Sequence, residues 1–423
     1  MSKTVYSGHK SHSELVFAAF LFVAVTSLAT DGRYREYIIG QRAGGMGGAA
    51  IAVARDVDAV FYNPAGLASA EHNVISLSAN LYGIERSPEE NGIEWGKDDS
   101  SSSFVSIPGA MGGVRRLTDE LVGGFGVFSP KHEKRHMVAS FENNSRFYYF
   151  DYDDQTLWLG PAIAWKPAGS RFSFGAGLFG VYRDYGVSQS FWEADGNALN
   201  GTCDLKMFGL LASLGALVDM GDGWCAGTTL QTPNLRVWDD GTYSATLLFE
   251  GIENYGVYSE DVEADNYIPW QLGVGIGRTV PGKWGFALDA TYHNRTSYDF
   301  MRWNFSSDRY EQTMHLHSVV DLSLGGEYVI AGRYPLRAGI YTAFSSIHVS
   351  DTPENTDLST SDVDMYGTTF SIGRRGDNIG INFGFDYAFG HGHDLGYGAD
   401  GEQISTACNR RVFLATVSTT FYF

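Results

Sequence analysis

Beyond residue 72 the chain alternates large apolar residues with small or polar ones, and a period of two held over this length restricts it to half-buried β-strands. From Trp284 to His293, one face carries Trp, Phe, Leu, Ala and Tyr, and the other carries Gly, Ala, Asp, Thr and His. Val320, Leu322, Leu324 and Tyr328 alternate with Asp321, Ser323, Gly325 and Glu327. Ile381, Phe383, Phe385, Tyr387 and Phe389 alternate with Asn382, Gly384, Asp386, Ala388 and Gly390. The spacing predicts fourteen strands, at 73–85, 104–116, 121–129, 155–166, 172–192, 200–219, 224–237, 268–280, 284–300, 317–330, 334–347, 362–375, 378–391 and 409–423. Every second link is short, as in Leu117-Thr118-Asp119-Glu120, Pro281-Gly282-Lys283 and Gly376-Asp377. The intervening links are mostly long and charged, so tight turns gather at one rim and long loops at the other.

A soluble sandwich has turns of similar length at both ends. Rim asymmetry with apolar-out, polar-in hairpins instead describes an outer-membrane β-barrel, which must close on itself because lipid offers no hydrogen bonds. Phe413, Ala415, Val417, Thr419, Phe421 and the terminal Phe423 share one face of the last strand. That ending looks like the signal read by the outer-membrane assembly machinery. Trp165, Trp224, Trp270, Trp284, Tyr328 and Tyr422 near strand ends fit interfacial girdles. The fold expected is therefore all-β, a 14-stranded antiparallel transmembrane barrel over residues 73–423, in the bacterial outer membrane with both termini periplasmic. Composition agrees: 52 glycines and 14% aromatics suit strands and turns, while 19% charged residues is low. The net charge of −19 argues against a nucleic-acid partner.

Two segments precede the barrel. Residues 1–29 carry Lys3 and Lys10, the apolar run Leu15–Val25, and Ser27 and Ala29 at the small-residue positions of a cleavage site. This is the pattern of a secretory signal peptide, with a core too short to span a bilayer. Residues 30–72 do not alternate. They are rich in Gly and Ala around Met46, Gly47 and Gly48 and reach Asn63, Pro64 and Ala65, where proline forces a corner. Small residues suit short helices packed closely, as a plug inside the lumen requires, and a fourteen-strand lumen would leak without one.

At this segment the chain resembles the FadL/TodX family of outer-membrane transporters for long-chain fatty acids and aromatic hydrocarbons. The resemblance rests on Met46-Gly47-Gly48-Ala49, Asp58-Ala59 and Asn63-Pro64-Ala65-Gly66-Leu67, with a second match at Gly124-Phe125-Gly126-Val127-Phe128-Ser129-Pro130. It implies a plugged barrel that passes hydrophobic small molecules, with lateral exit where the third strand kinks inward. Gly123, Gly124 and Gly126 suit a weakened strand, and Pro130 lacks the N–H that would extend the ladder. The chain departs from the family after that strand, having Pro130-Lys131-His132-Glu133-Lys134 where Pro-Phe-Gly-Leu is frequent. The plug motif is shared with PorV-like barrels that serve protein secretion, which is the alternative function.

Lys131, Lys134, Arg135 and Arg146 follow the third strand in an otherwise acidic chain. Two readings fit these cations: capture of a substrate carboxylate, or contact with lipopolysaccharide phosphates at the outer membrane surface. Cys203, Cys225 and Cys408 show no redox or metal spacing, and His315-Leu316-His317 and His391-Gly392-His393-Asp394 have no further ligand at fixed spacing. No Gly-x-Ser-x-Gly elbow, phosphate loop or HExxH is present. Neither a cofactor, a metal nor enzyme activity is expected.

Overall fold

The computed structural model describes residues 32–423 apart from 79–80, 95–96, 108, 142–145, 194–195, 197, 249–255, 306–307, 348–360 and 398–402. The proposed signal peptide lies outside the described residues. Val74–Ser78 pairs with both Ala110–Arg116 and Gln403–Tyr422, in the registers Val74↔Val114 and Val74↔Tyr422, and so closes the sheet. Followed from neighbour to neighbour, the ladder runs through fourteen antiparallel crossings and returns to its start. The short turns lie where expected. They use left-handed backbone at Gly169, Gly282 and Gly332, with φ of +71°, +68° and +66°, a conformation that glycine adopts without steric cost.

The alternation sorts residues onto the faces as the sequence implies. Leu288, Ile340, Phe385 and Phe413 are exposed on the outside, where lipid covers them, while Asp289, His293, Asp321 and Asn382 are buried inside. Tyr422 departs from the expected girdle. It turns inward, with its ring 6.0 Å from that of His72, while Phe421 and Phe423 face out.

Strand limits differ more at the long-loop rim. The third crossing continues from Leu121 to Phe141 and the fourth begins at Arg146, so the expected long link between them is two tall strands. The ninth crossing, expected unbroken over 284–300, stops at His293 and resumes as Thr296–Phe305. With Asp308–Leu316 and the two residues Glu263–Ala264, that segment forms a separate three-stranded sheet. The expected charged loop at 301–316 is largely this hairpin.

Residues 32–72 fill the lumen between the walls. Arg42–Gly45 and Val57–Tyr62 are short helices, and Pro64–Ser69 is a 3₁₀ turn. Proline begins that turn and Asn63 before it is extended, with φ −159°, the bias that proline imposes on its predecessor. Asn63 caps the turn by accepting from Ala65 N, and its amide donates to Ile51 O at 2.8 Å. Met46, Ala65 and Leu67 have no exposed surface.

Candidate functional site

Three features meet inside the barrel: the plug and its anchors, the upper third strand, and an apolar cluster toward the long-loop rim.

The plug is held by polar contacts along its length. Asp58 accepts from the amides of Gln41, Arg42 and Ala43 at 3.1, 3.0 and 2.9 Å, tying the two short helices together. Burial, with the charge of Asp56 beside it, lifts the Asp58 carboxyl to about 7 against the pull of those amides. From the wall, Asp289 accepts from Ala50 N and Ile51 N at 2.6 and 2.8 Å, and Thr369 accepts from Gly47 N. Gly47 and Gly48 have φ of +64° and +79°. On the wall, Arg337 from the neighbouring strand and Arg42 from the plug converge on Glu327, at 2.7 and 3.5 Å. Hydrogen bonds to charged groups contribute about 1.5–3 kcal/mol each, and they add to the burial of Ile39, Met46, Ile51, Val57, Val60 and Leu67 in holding the plug.

The third strand breaks the wall. It pairs with Ala110–Arg116 on one side up to Ala110↔Phe128, and Ser129 N donates to Gly109 O. On its other side a bulge intervenes between Phe128↔Trp158 and Lys131↔Thr156, at Ser129-Pro130. Above this point Lys131–Phe141 pairs only with the fourth crossing, and Lys97–Ile107 pairs only with the first. Among the described residues no ladder joins these two segments, which leaves a seam without backbone pairing between them. Behind the bulge lie the rings of Phe61, Phe128, Trp158 and Phe179. Phe61 stands 5.1 Å from Phe128 and 5.4 Å from Trp158.

The start of the plug reaches this seam. Tyr37 donates its hydroxyl to the carbonyl of His132 at 2.6 Å. Arg410 lies between Glu133 (3.4 Å) and Glu36 (3.7 Å), and Arg33 lies 3.3 Å from Glu36. Burial first and the Glu133 charge next raise the Glu36 carboxyl above the usual range, with Arg410 and Arg33 opposing.

Above the seam, Asp154 takes a two-point contact from Arg183, at 2.9 and 2.8 Å, and one from Lys131 at 2.7 Å. The Arg183 guanidinium lies 5.7 Å from the centre of the Tyr185 ring and 5.2 Å from that of Phe300. These rings belong to a buried cluster with Phe150, Tyr152, Leu205, Met207, Tyr243, Met301 and Met314. A packed apolar cluster bordered by the Arg183–Asp154–Lys131 contacts therefore lies toward the long-loop rim.

The profile of the Toluene_X family, outer membrane protein transport protein (OMPP1/FadL/TodX), matches residues 21–423. The chain belongs to the FadL/TodX family. Among solved structures, this family member is similar to a Pseudomonas aeruginosa FadL homologue at 14% identity and a TM-score of 0.71, over 93% of this chain and 100% of that one. The Pseudomonas putida toluene transporter TodX matches at 15% identity and a TM-score of 0.68, over 92% and 99% of the two chains. The Ralstonia pickettii toluene transporter TbuX matches at 15% and 0.62, over 91% and 98%. At such identities the likeness establishes the fold. No curated protein sequence matches.

In this FadL/TodX chain the residues expected from sequence divide into groups. Met46, Gly47, Gly48, Asn63, Pro64 and Ala65 lie together in the plug. Gly124 faces the plug, where an added Cβ would meet Val60 at 2.9 Å, and Gly123 faces Leu117 instead. A Cβ on Gly126 would strike the Phe128 ring, and Pro130 is in the bulge. Lys131 turns inward to Asp154, while Lys134 is half-exposed against Asp153 at 3.0 Å. Arg135 and Arg146 lie on the tall strands, with side chains outside the described residues. Sequence reading missed Arg183, Asp154, Glu133 and Arg410. Their signal was phase: Asp154, Tyr152 and Phe150 continue the inward set of the fourth strand below its expected start.

Proposed function

We propose that this barrel is a passive channel for hydrophobic compounds, long-chain fatty acids or hydrocarbons, with its long-loop rim outside the cell. Molecules enter through the apolar cluster, pass the plug's first residues and leave sideways into the membrane through the seam beside the third strand. The observation that carries the reading is that seam. A ladder is abandoned in the wall of a closed barrel, and the rings of Phe61, Phe128, Trp158 and Phe179 gather behind it. In lipid an unpaired strand edge is costly, so a wall that keeps one has a use for it. The exit lets an apolar molecule avoid the charged plug contacts and bulk water. The two toluene transporters among the similar folds support the substrate class.

Lys131 and Arg183 both contact Asp154 at the edge of the apolar cluster. In this reading these cations steady the polar end of a substrate there. An apolar cluster beside a cation favours transport over a docking role in secretion. The test is initial uptake of labelled toluene and of oleate by cells with and without the barrel, in a host deprived of its own channels of this kind. Faster uptake of either compound, with small hydrophilic solutes unaffected, supports the reading. Equal uptake of both compounds in the two strains overturns it.

A further inference from the structure

The apolar cluster toward the long-loop rim is covered by the chain itself. The hairpin Thr296–Leu316 belongs to its own small sheet, and its arms leave the barrel at the same level. One arm breaks at Asn294-Arg295 and the other at His317-Ser318, between the last barrel pair, His293↔Val319, and the first hairpin pair, Thr296↔Leu316. Two-residue interruptions facing each other across both arms make a hinge line, each tied to a neighbour by one backbone bond, Asn294 N to Trp270 O at 3.2 Å and His317 N to Ser346 O at 2.6 Å. Below the hinge the ladder is barrel wall; above it the hairpin folds inward.

The hairpin's inner face is apolar and its outer face polar. Tyr298, Phe300, Met301, Met314 and Leu316 are buried, while Ser297, Glu311 and His315 are exposed. Phe300 and Met301 are neighbours in sequence, yet neither has exposed surface. A bulge between Asp299 and Met301 allows this by adding one residue and re-aiming the side chains. The Phe300 ring meets Tyr185 edge-on, with centroids 5.3 Å apart at 73°, and lies 5.2 Å from the Arg183 guanidinium. Met301 rests its sulfur on Cys203 at 3.7 Å. A phenyl ring thus occupies the place that combines an aromatic edge, a cation facing a π-face and thioether walls.

Building on the transport reading, we propose that this hairpin is a lid, and that Phe300 holds the seat of an uncharged, single-ring hydrophobic substrate. When such a molecule reaches the cluster it takes over the contacts of Phe300 with Tyr185 and Arg183. The hairpin then swings out about residues 294–295 and 317–318. Opening exposes Tyr298, Met301, Met314 and Leu316 with Phe300, so the lid rests closed, and a ligand that fills the seat only in the open state raises the open population until it passes on. The ring's fit selects a single-ring molecule over a cationic one, since a seat that already faces the Arg183 guanidinium repels a second cation.

Amide hydrogen exchange of peptides spanning 296–316, in the barrel reconstituted in lipid nanodiscs, tests the lid directly. Toluene at about ten times its dissociation constant should speed exchange of the hairpin by about tenfold, the shift that binding to the open state alone produces, and leave the wall strands 319–330 unchanged. Phe300→Ala should raise the toluene-free exchange of the hairpin, because the seat is vacated and the lid loses its anchor. Hairpin exchange that toluene leaves unchanged or slows, or a Phe300→Ala hairpin that exchanges like the wild type, would overturn the lid. The uptake comparison decides the transport reading separately: uptake with an unresponsive hairpin removes only the lid, whereas a responsive hairpin without uptake removes only the transport.

Discussion

At the scale of single residues, the plug depends on carboxylates that aim at amides and on wall glycines that admit its backbone. The raised carboxyl of Asp58 has a consequence with a definite sign. A carboxyl that holds its proton to about 7 when buried, against an ordinary value of 3.8, binds more protons in the closed state than in the released one. The plug's stability is then greatest below the ordinary value and falls as pH rises toward 7. Amide exchange at Gln41–Ala43, corrected for its intrinsic pH dependence, should show opening becoming easier between these limits, and Asp58→Asn should abolish the slope. A slope of the opposite sign would remove this account of Asp58. The glycines make a second case. A Cβ on Gly339 would lie 2.2 Å from Met46 C and 2.3 Å from Gly47 N, whereas one on Gly326 meets nothing nearer than 3.7 Å. Overpacking of this kind costs about 1–3 kcal/mol, which corresponds to a change of roughly 5–150-fold in the population of displaced plug. Gly339→Val should therefore raise the sensitivity of cells to hydrophilic antibiotics, and Gly326→Ala should not. Equal sensitivity of the two would show that the wall does not hold the plug there.

At the scale of elements, the two faces of each strand answer to different solvents. Leu288 faces lipid and Asp289 faces the plug. Leu288→Arg should cost about 2–4 kcal/mol near the midplane, read as loss of the heat-resistant folded band. Asp289→Asn should keep that band but weaken the hold on Ala50 and Ile51, raising leakage. Period two made this division legible, because each strand's buried set is fixed by alternate positions. It failed above the lipid, where the outward face also becomes polar: Lys131 to Arg135 read as a charged link, yet the strand runs on to Phe141. It failed again at Phe300-Met301, where a bulge buries consecutive residues and destroys the period that would have announced a strand. The bulge at Ser129-Pro130 was half legible. Proline and the glycines marked a weak strand, but the loss of pairing with Lys97–Ile107 depends on two strands diverging, which no local pattern records.

At the scale of the whole molecule, closure and openness have one origin. Fourteen crossings complete a ring at the short-turn rim, where Val74–Ser78 pairs with both neighbours, and the plug seals the lumen that such a ring encloses. Higher up, the third strand leaves its neighbour, and the plug's first residues meet it there through Tyr37 and Glu36. The proposed route therefore avoids the plugged axis and runs through the barrel's side, a path suited to a molecule that belongs in the membrane. The alternation foretold the ring, and the small-residue segment that does not alternate foretold the plug. The apolar cluster, its Arg183 border and its hairpin cover were not foretold, because they join residues from strands far apart in the chain. The most direct measurement is the uptake of toluene through a barrel whose bulge has been removed. Deleting Pro130 takes one residue from the bulge and lets the ladder with Trp158 and Thr156 run without a step. The account predicts a folded, heat-resistant barrel with unchanged exclusion of hydrophilic solutes, in which toluene uptake falls to the level of cells lacking the protein. Uptake that persists undiminished through that folded, straightened wall would contradict it.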